Sequence, residues 1–499
     1  MNEPVQSSPS TSSKAISGVR WVTVGMGFQK VFQVLAVVVL SRLLTPADFG
    51  LFAVATLTLG TVNRIKQLGL YTALVQRRTD VQEGANSSLI LTGFLSIALY
   101  LVLLAVSHRV VSYFGSVQAR SILNVLGLSL FIDAASGIQG AWAIRNMKFR
   151  KHSAIGSVEA LLTPFVSVTL AFFGWGVWAL VWGTLAGPFV GAVLWWTVDP
   201  WRPSWAFNRR VAREMLGFGI KLSVAGTLDG LTDTAIRAVV GRYFGLAPLG
   251  MFDFAMRLIQ IPFRHIFELT QRVALPAYCR ESDNLERIGR WHLIVTRYSC
   301  LLMGCLATPM VVLADVLIPL IFGEQWRPAV PLIRILAPTM FLMPLLYAWS
   351  VHTAIANLYT VLVFMAGRLL MTSAAFVWAA SFGLVAASGV LLITTVLLSG
   401  LHLVLVKHRL SLTVSEIRSA FGAPLVSCFL AGMTMLGVRV SADSLAPGHA
   451  LAAGLFAMVA GFAVLTATVL LLHPETIGEL RQLVRAPSES RTGTGVTEA

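Results

Sequence analysis

Apolar runs of about twenty residues recur from one end of this chain to the other, and that is the length a helix needs to cross the hydrocarbon of a bilayer. "LILTGFLSIALYLVLLAVS", "AASGVLLITTVLLSGLHLVLV" and "LAAGLFAMVAGFAVLTATVLLL" are three of them. Over 499 residues only 12% are charged and 56% are hydrophobic, and the mean hydropathy is +0.75. A soluble domain of this length would need far more charge to cover its surface. The runs therefore predict an all-α polytopic membrane protein.

The pattern predicts about 14 transmembrane helices, at roughly 20–41, 49–71, 87–107, 120–144, 153–173, 175–197, 215–240, 248–270, 291–314, 328–349, 353–377, 380–406, 420–439 and 448–472. Residues 1–19 read as a polar tail without the short apolar core and cleavage site of a signal peptide. Residues 473–499 read as a disordered tail. The four cysteines, Cys279, Cys300, Cys305 and Cys428, show neither metal spacing nor a disulfide framework. They read as small apolar residues in packed helices.

Basic residues orient this array. With the N-terminus inside, the inward segments carry 22 of the 38 lysines and arginines and the outward loops carry six, Arg42, Arg109, Arg120, Arg242, Arg327 and Arg439. Such a bias places both termini in the cytoplasm. It also accounts for most of the +15 net charge, so a basic pI does not point to nucleic acid. The other ten fall inside spans: Lys30, Arg64, Lys66, Lys221, Arg237, Arg257, Arg264, Arg297, Arg334 and Arg368. Charge at membrane depth is costly and faces a bundle interior or a wet cavity.

Residues 39–64 laid on 239–264 without gaps share seven identities in 26 positions, among them Arg42/Arg242, Gly50/Gly250, Phe52/Phe252 and Arg64/Arg264. Composition alone would give about two, so the chain repeats itself. Six spans separate the copies, and an even number restores the same orientation. This predicts two six-helix parallel-repeat bundles around a central cavity, plus two C-terminal helices. The expected divisions are 20–200, a linker at 201–214, 215–406, and extra helices within 420–472. In each bundle the repeated stretch forms the outer corner between the first two helices.

Polar residues concentrate on those first two helices. Lys221, Asp229, Asp233 and Arg237 form an i, i+4 series in the seventh span. Asp253, Arg257, Arg264 and Glu268 share a face in the eighth. Asp233–Arg237 and Asp253–Arg257 have the spacing of structural staples, with even weight between that role and a functional one. Lys30 and Arg64 have no acid at helical spacing, and surplus positive charge in a cavity implies an anionic ligand. Arg297, Arg334 and Arg368 read as packing or snorkelling residues. Asp133 and Glu159 read as isolated acids, each a candidate proton or cation site, with a polar cap near a helix end the favoured reading for Glu159. Asp229, Asp233 and Asp253, set among bases, are candidates for coupling to a proton or another ion.

"LSRLLTPADFGLFAVA", "LGLYTALVQR", "RNMKFRKHS", "GRYFGLAPLGMFDFAMRLIQIPF" and "VALPAYCRESDNLERIGR" resemble the polysaccharide-exporter branch of the multidrug/oligosaccharidyl-lipid/polysaccharide transporter superfamily. That branch holds Wzx-type flippases and colanic-acid-exporter-like proteins, and the resemblance covers roughly residues 15–420. It implies twelve core helices in two bundles, often with two more, and alternating access. It implies an inner-membrane carrier of undecaprenyl-pyrophosphate-linked oligosaccharide repeat units for exopolysaccharide, O-antigen or capsule. By helix position the family's cationic cavity falls on Lys30, Arg64, Lys221, Arg237, Arg257 and Arg264; the aspartates belong to no signature of the family. The expected partners are the polyprenyl-pyrophosphate-linked oligosaccharide, membrane lipid, and a polysaccharide polymerase with its export machinery, without nucleic acid. No cofactor, metal or covalent chemistry is called for. Two other readings stay open: a membrane polysaccharide polymerase or ligase, which short outward loops disfavour, and a multidrug exporter, whose cationic substrates an arginine-rich cavity would repel.

Overall fold

The computed structural model describes residues 29–67, 69–77, 79–199, 201–204, 206–280, 284–346, 358–445 and 450–472. A few side chains inside helices, Lys221 among them, also lie outside that set. Every regular element among the described residues is helical. In order these are α1 (29–43), α2 (Pro46–Gln67), α3 (Leu70–Gln76), α4 (Val81–Phe114), α5 (Gln118–Leu126), α6 (Ser129–Arg145), α7 (Phe149–Phe172) and α8 (Val177–Val198). There follow α9 (Arg209–Phe244), α10 (Leu246–Arg280), α11 (Leu285–Val312), α12 (Ala314–Phe322), a 3-10 turn (Glu324–Ala329), α13 (Val330–Leu336) and α14 (Thr339–Leu346). The last four are α15 (Leu358–Ala380), α16 (Leu384–Leu410), α17 (Val414–Leu445) and α18 (Ala450–Leu472).

Among the described residues nine helical stretches are long and apolar enough to cross a membrane, or ten if the pair Glu324–Leu336 and Thr339–Leu346, bent by 48°, counts as one. The nine are α4, α5 with α6, α7, α8, α11, α15, α16, α17 and α18. That number is smaller than fourteen for a physical reason. α9 and α10 have 36 and 35 residues, but each carries a stripe of charge, and α2 ends on Arg64 and Lys66. Residues 20–28, 347–349 and 353–357, which belong to expected spans, lie outside the described residues. The break expected near 174 is present, with Gly174 and Gly176 at positive φ between α7 and α8. Large apolar side chains face outward, as they do in lipid: Phe94 is 72% and Leu370 70% exposed.

The chain forms two compact units. The first holds the chain through Phe254 together with Ile321–Trp326 and Leu362–Leu384; the second holds Ala255–Leu320, Arg327–Val361 and the residues from Val385 on. In the first unit α2 packs on α5 and α9, α4 on α6 and α9, and α7 on α8.

The corner before α2 is closed by sequence-local chemistry. In "TPAD" the Thr45 hydroxyl accepts from the Asp48 amide at 3.2 Å, and the Asp48 carboxylate accepts from the Thr45 amide at 3.0 Å. This is a reciprocal capping box, with Pro46 at the first helical position. α2 and the start of α10 then cross without side chains between them. A Cβ on Gly50 would lie 1.9 Å from the Leu246 carbonyl oxygen, and one on Gly250 would lie 1.9 Å from the Pro46 carbonyl oxygen. The contact is reciprocal at an offset of 200 residues, the offset of the sequence repeat.

The short segment Ile321–Trp326 clasps the same corner. Trp326, fully buried, donates its indole N–H to the Ser41 carbonyl at 2.8 Å. Its ring stacks on Phe254 at 4.0 Å and meets Phe49 edge-on at 5.2 Å. Arg42 Nε donates to the Ile321 carbonyl at 2.9 Å. Each aromatic pair adds about 0.5–1.5 kcal/mol beyond area burial.

The stretch expected as a linker, 201–214, is tied to the end of α8 and to α4. Asp199, 1% exposed, accepts from the Trp201 amide at 3.0 Å and from Lys148 at 3.0 Å. Trp201 donates to Gln82 at 2.9 Å, and the Asn208 amide donates to the Ser87 hydroxyl at 3.0 Å. Asn208 then caps α9 by accepting from the amides of Arg210 and Val211.

In the second unit α11 packs on α13, α14 and α17, and α17 pairs with α18. Asp315 accepts from Arg334 at 2.6 Å and from Arg439 at 2.7 Å, which ties α12, α13 and α17 together.

Candidate functional site

In the first unit the charged stripe of α9 faces partners from three other helices. Arg237 donates through Nε to Asp253 of α10 at 2.9 Å and lies 3.8 Å from Asp233, one turn earlier on its own helix. Asp229 accepts from Arg368 of α15. Arg64 reaches across from α2 and lays its guanidinium on Gly230, where a Cβ would fall 2.0 Å from its Cζ. Its Nη1 donates to the Thr234 hydroxyl at 3.4 Å. Only a glycine at 230 leaves that seat open. Arg64, Arg237 and Arg368 thus stand against Asp229, Asp233 and Asp253, three positive charges against three negative.

Exposure differs within the set. The Asp253 side chain is 6% exposed, Asp233 20% and Asp229 32%; Arg368 and Arg237 are 11% and 17% exposed. Asp253 is enclosed, while the other two carboxylates reach open space. In apolar surroundings such ion pairs need good geometry to repay their desolvation.

Lys30 is half-buried at the start of α1. Arg257 and Arg264 belong to the second unit, the first half-buried and the second exposed. The side chain of Lys221 lies outside the described residues.

Three expectations from the sequence need correction. Asp133 is not isolated. It pairs with Lys66, which is fully buried, donates to the Leu130 carbonyl at 3.0 Å, and comes from 67 residues earlier in the chain. The Tyr71 hydroxyl donates to the same carboxylate at 3.2 Å. Glu159 does not sit at a helix end but within α7, its carboxylate where a Cβ of Gly191 would be. Arg368 and Arg334 are ion-paired, to Asp229 and Asp315, and not merely packed. Arg368 is the residue the sequence concealed most completely. Its partner is 139 positions away, and α15 carries no acid of its own. The usable signal was that very lack, because an arginine at membrane depth has to find its counter-charge on another helix.

The model of a family described as polysaccharide biosynthesis protein matches residues 39–331, more than half of the chain. The chain belongs to this polysaccharide biosynthesis family. The matched segment contains Arg64 and the charged stripe of α9, while Lys30 and Arg368 lie beyond its two ends. Among relatives, the succinoglycan biosynthesis transport protein ExoT of Rhizobium meliloti is 23% identical over 334 residues, 66% of this chain and 67% of that one. The lipopolysaccharide biosynthesis protein WzxC of Escherichia coli is 21% identical over 343 residues, 66% of this chain and 67% of its own length.

Solved structures extend the likeness in fold. The family member superposes on the lipid II flippase MurJ, in an inward closed conformation, with a TM-score of 0.76, 11% identity, and coverage of 92% of this chain and 99% of that one. An inward-facing multidrug resistance transporter of the MATE family, in the MOP superfamily, gives a TM-score of 0.64 at 16% identity, covering 77% and 94%. The all-helical fold is therefore that of MOP-superfamily transporters, and the family member is a multi-pass membrane protein.

Proposed function

We propose that this protein is a flippase that carries an undecaprenyl-pyrophosphate-linked oligosaccharide repeat unit across the bacterial inner membrane, for assembly of a surface polysaccharide. The observation that carries the reading is the group of arginines, Arg64, Arg237 and Arg368, brought together along α9 in the first unit. A diphosphate with sugars cannot enter hydrocarbon unaided, because unpaired charges and hydroxyls lose their solvation. Guanidinium groups restore it, since their planar forks donate two hydrogen bonds to an oxyanion. The polyprenyl tail needs no such help and stays in lipid.

The named relatives act in polysaccharide biosynthesis and transport, and one structural neighbour is a lipid II flippase. Both support a lipid-linked substrate. The reading assigns a cytoplasmic side to both termini and to the segment around Ser204, and alternating access between two bundles as the mode of transfer. Lys30, Lys221, Arg257 and Arg264 are further candidates for contact with the anion. The crossed corners at Gly50 and Gly250 then form the periplasmic end, which must part for release.

Reconstitution decides the matter. Purified protein in liposomes should bring a fluorescent lipid-linked diphosphate oligosaccharide from the inner to the outer leaflet faster than protein-free liposomes. Transport of a hydrophobic cationic dye without movement of the lipid would instead support a drug exporter.

A further inference from the structure

A place-holding role for two carboxylates follows from the charge balance on α9, and it rests on the flippase reading above. An arginine waiting for an anion at membrane depth faces a difficulty between substrates, since an unpaired guanidinium there is strongly disfavoured. Here the difficulty is met by aspartates. Arg368, on a helix with no acid, is held by Asp229. Arg237 holds two carboxylates, Asp253 at 2.9 Å and Asp233 at 3.8 Å. Arg64 sits on Gly230, beside Asp229 and one turn before Thr234.

The two acids are not equivalent to the third. Asp253 is enclosed and makes the shorter contact, so it fixes Arg237 in place. Asp229 and Asp233 are the more exposed carboxylates, and Asp233 makes the longer contact. An incoming anion can reach them, and they can swing away. A diphosphate diester carries two negative charges and accepts paired hydrogen bonds from guanidinium much as a carboxylate does.

We propose that Asp229 and Asp233 occupy, on Arg368 and Arg237, the positions that the diphosphate of the substrate takes when it binds, and that binding displaces them. These three arginines and three aspartates balance one another in charge, so a dianion takes its place on Arg368 and Arg237 as carboxylate leaves them. The displaced carboxylates stay nearby and repel the ligand, which keeps affinity low enough for release. Removing their charge should therefore strengthen binding, the reverse of what a merely structural ion pair would give.

The experiment measures binding to the full-length protein in nanodiscs. The probes are undecaprenyl pyrophosphate and, in a second arm, inorganic pyrophosphate alone. Asp229→Asn and Asp233→Asn should each bind undecaprenyl pyrophosphate roughly tenfold more tightly than wild type, the size expected from losing one opposing charge contact. Arg368→Gln should bind it at least about tenfold more weakly, and Asp253→Asn should gain nothing. Tightening in the pyrophosphate arm as well assigns the exchange to the diphosphate itself. Tightening for the lipid alone assigns it to the diphosphate presented by its prenyl chain.

Asp233→Asn is the decisive variant, because Asp253 still holds Arg237 and the fold is kept. Unchanged or weaker binding by Asp233→Asn, with an unaltered melting temperature, overturns the exchange and leaves the flippase reading standing. No binding of undecaprenyl pyrophosphate by wild type also overturns the exchange, whereas failure to move the lipid-linked oligosaccharide in liposomes overturns the flippase reading.

Discussion

Arg64 shows what one residue can and cannot say. Its place in the repeat, 200 positions before Arg264, marked both as candidates. Its seat on Gly230 and its bond to Thr234 were set by α9 and invisible beforehand. Arg64→Lys should keep expression but lose about 1.5–3 kcal/mol of substrate binding, because an ammonium cannot reproduce a two-pronged contact. Arg264→Lys should likewise weaken export, and wild-type export by each variant at equal membrane abundance would remove that arginine from the anion-binding residues. A second prediction concerns Asp199. Burial alone would raise its carboxyl, but the Trp201 amide and the charge and hydrogen bond of Lys148 hold it below the ordinary range. A depressed folded value means the contribution is complete above the ordinary carboxylate value of about 4 and is lost as pH falls through the depressed one. Amide protection at Trp201, Arg202 and Ser204, taken relative to the intrinsic exchange rate at each pH, should therefore fall on acidification, and Asp199→Asn should remove that loss. The lone acids and bases of the sequence were legible as costly groups. Their partners were not, because Lys66–Asp133 and Asp229–Arg368 join helices distant in the chain.

At the scale of elements, the α7–α8 hairpin is built on a ladder. Gly183, Gly187 and Gly191 recur every four residues on one face of α8. Ser167, Thr163 and Glu159 recur every four residues on α7 and fill the space their missing side chains leave. A Cβ at Gly187 would lie 2.1 Å from the Thr163 hydroxyl and 2.6 Å from the Glu159 carbonyl oxygen. Small residues are what allow membrane helices to approach this closely. Gly187→Leu should destabilise the detergent-solubilised protein by about 1–3 kcal/mol through overpacking. Gly156→Ala on α7, where nothing stands within 4 Å, should leave its melting temperature unchanged. Equal melting of both variants would show that the ladder does not bear on stability. The small-residue spacing was present in the sequence, yet which helix it faced was not.

For the molecule as a whole, the proposed orientation is open to direct test. Ser204→Cys should react with an impermeant thiol reagent only in inverted vesicles, and Ala47→Cys, exposed in the first turn of α2, only in intact cells. The opposite pattern would reverse the topology derived from the basic residues. The corner clasp gives a further expectation. Trp326→Ala removes the ring that joins Phe49 to Phe254 and the bond to Ser41. It should raise the reactivity of Ala47→Cys from the outer side, and an unchanged labelling rate would mean the clasp does not hold that end closed.

Two kinds of information separate here. Hydropathy and the scarcity of charge determined the class of protein, because they act through composition and through neighbours a few positions apart. The capping box at Thr45 and Asp48 is of that kind, as is the break at Gly174 and Gly176. Only the tertiary structure decided that Gly50 and Gly250 cross backbone to backbone, that Trp326 locks into the corner, and that Arg368 answers Asp229. A charge inside a membrane protein takes its counter-charge from whichever helix packs against it, and helix packing is a property of the whole chain.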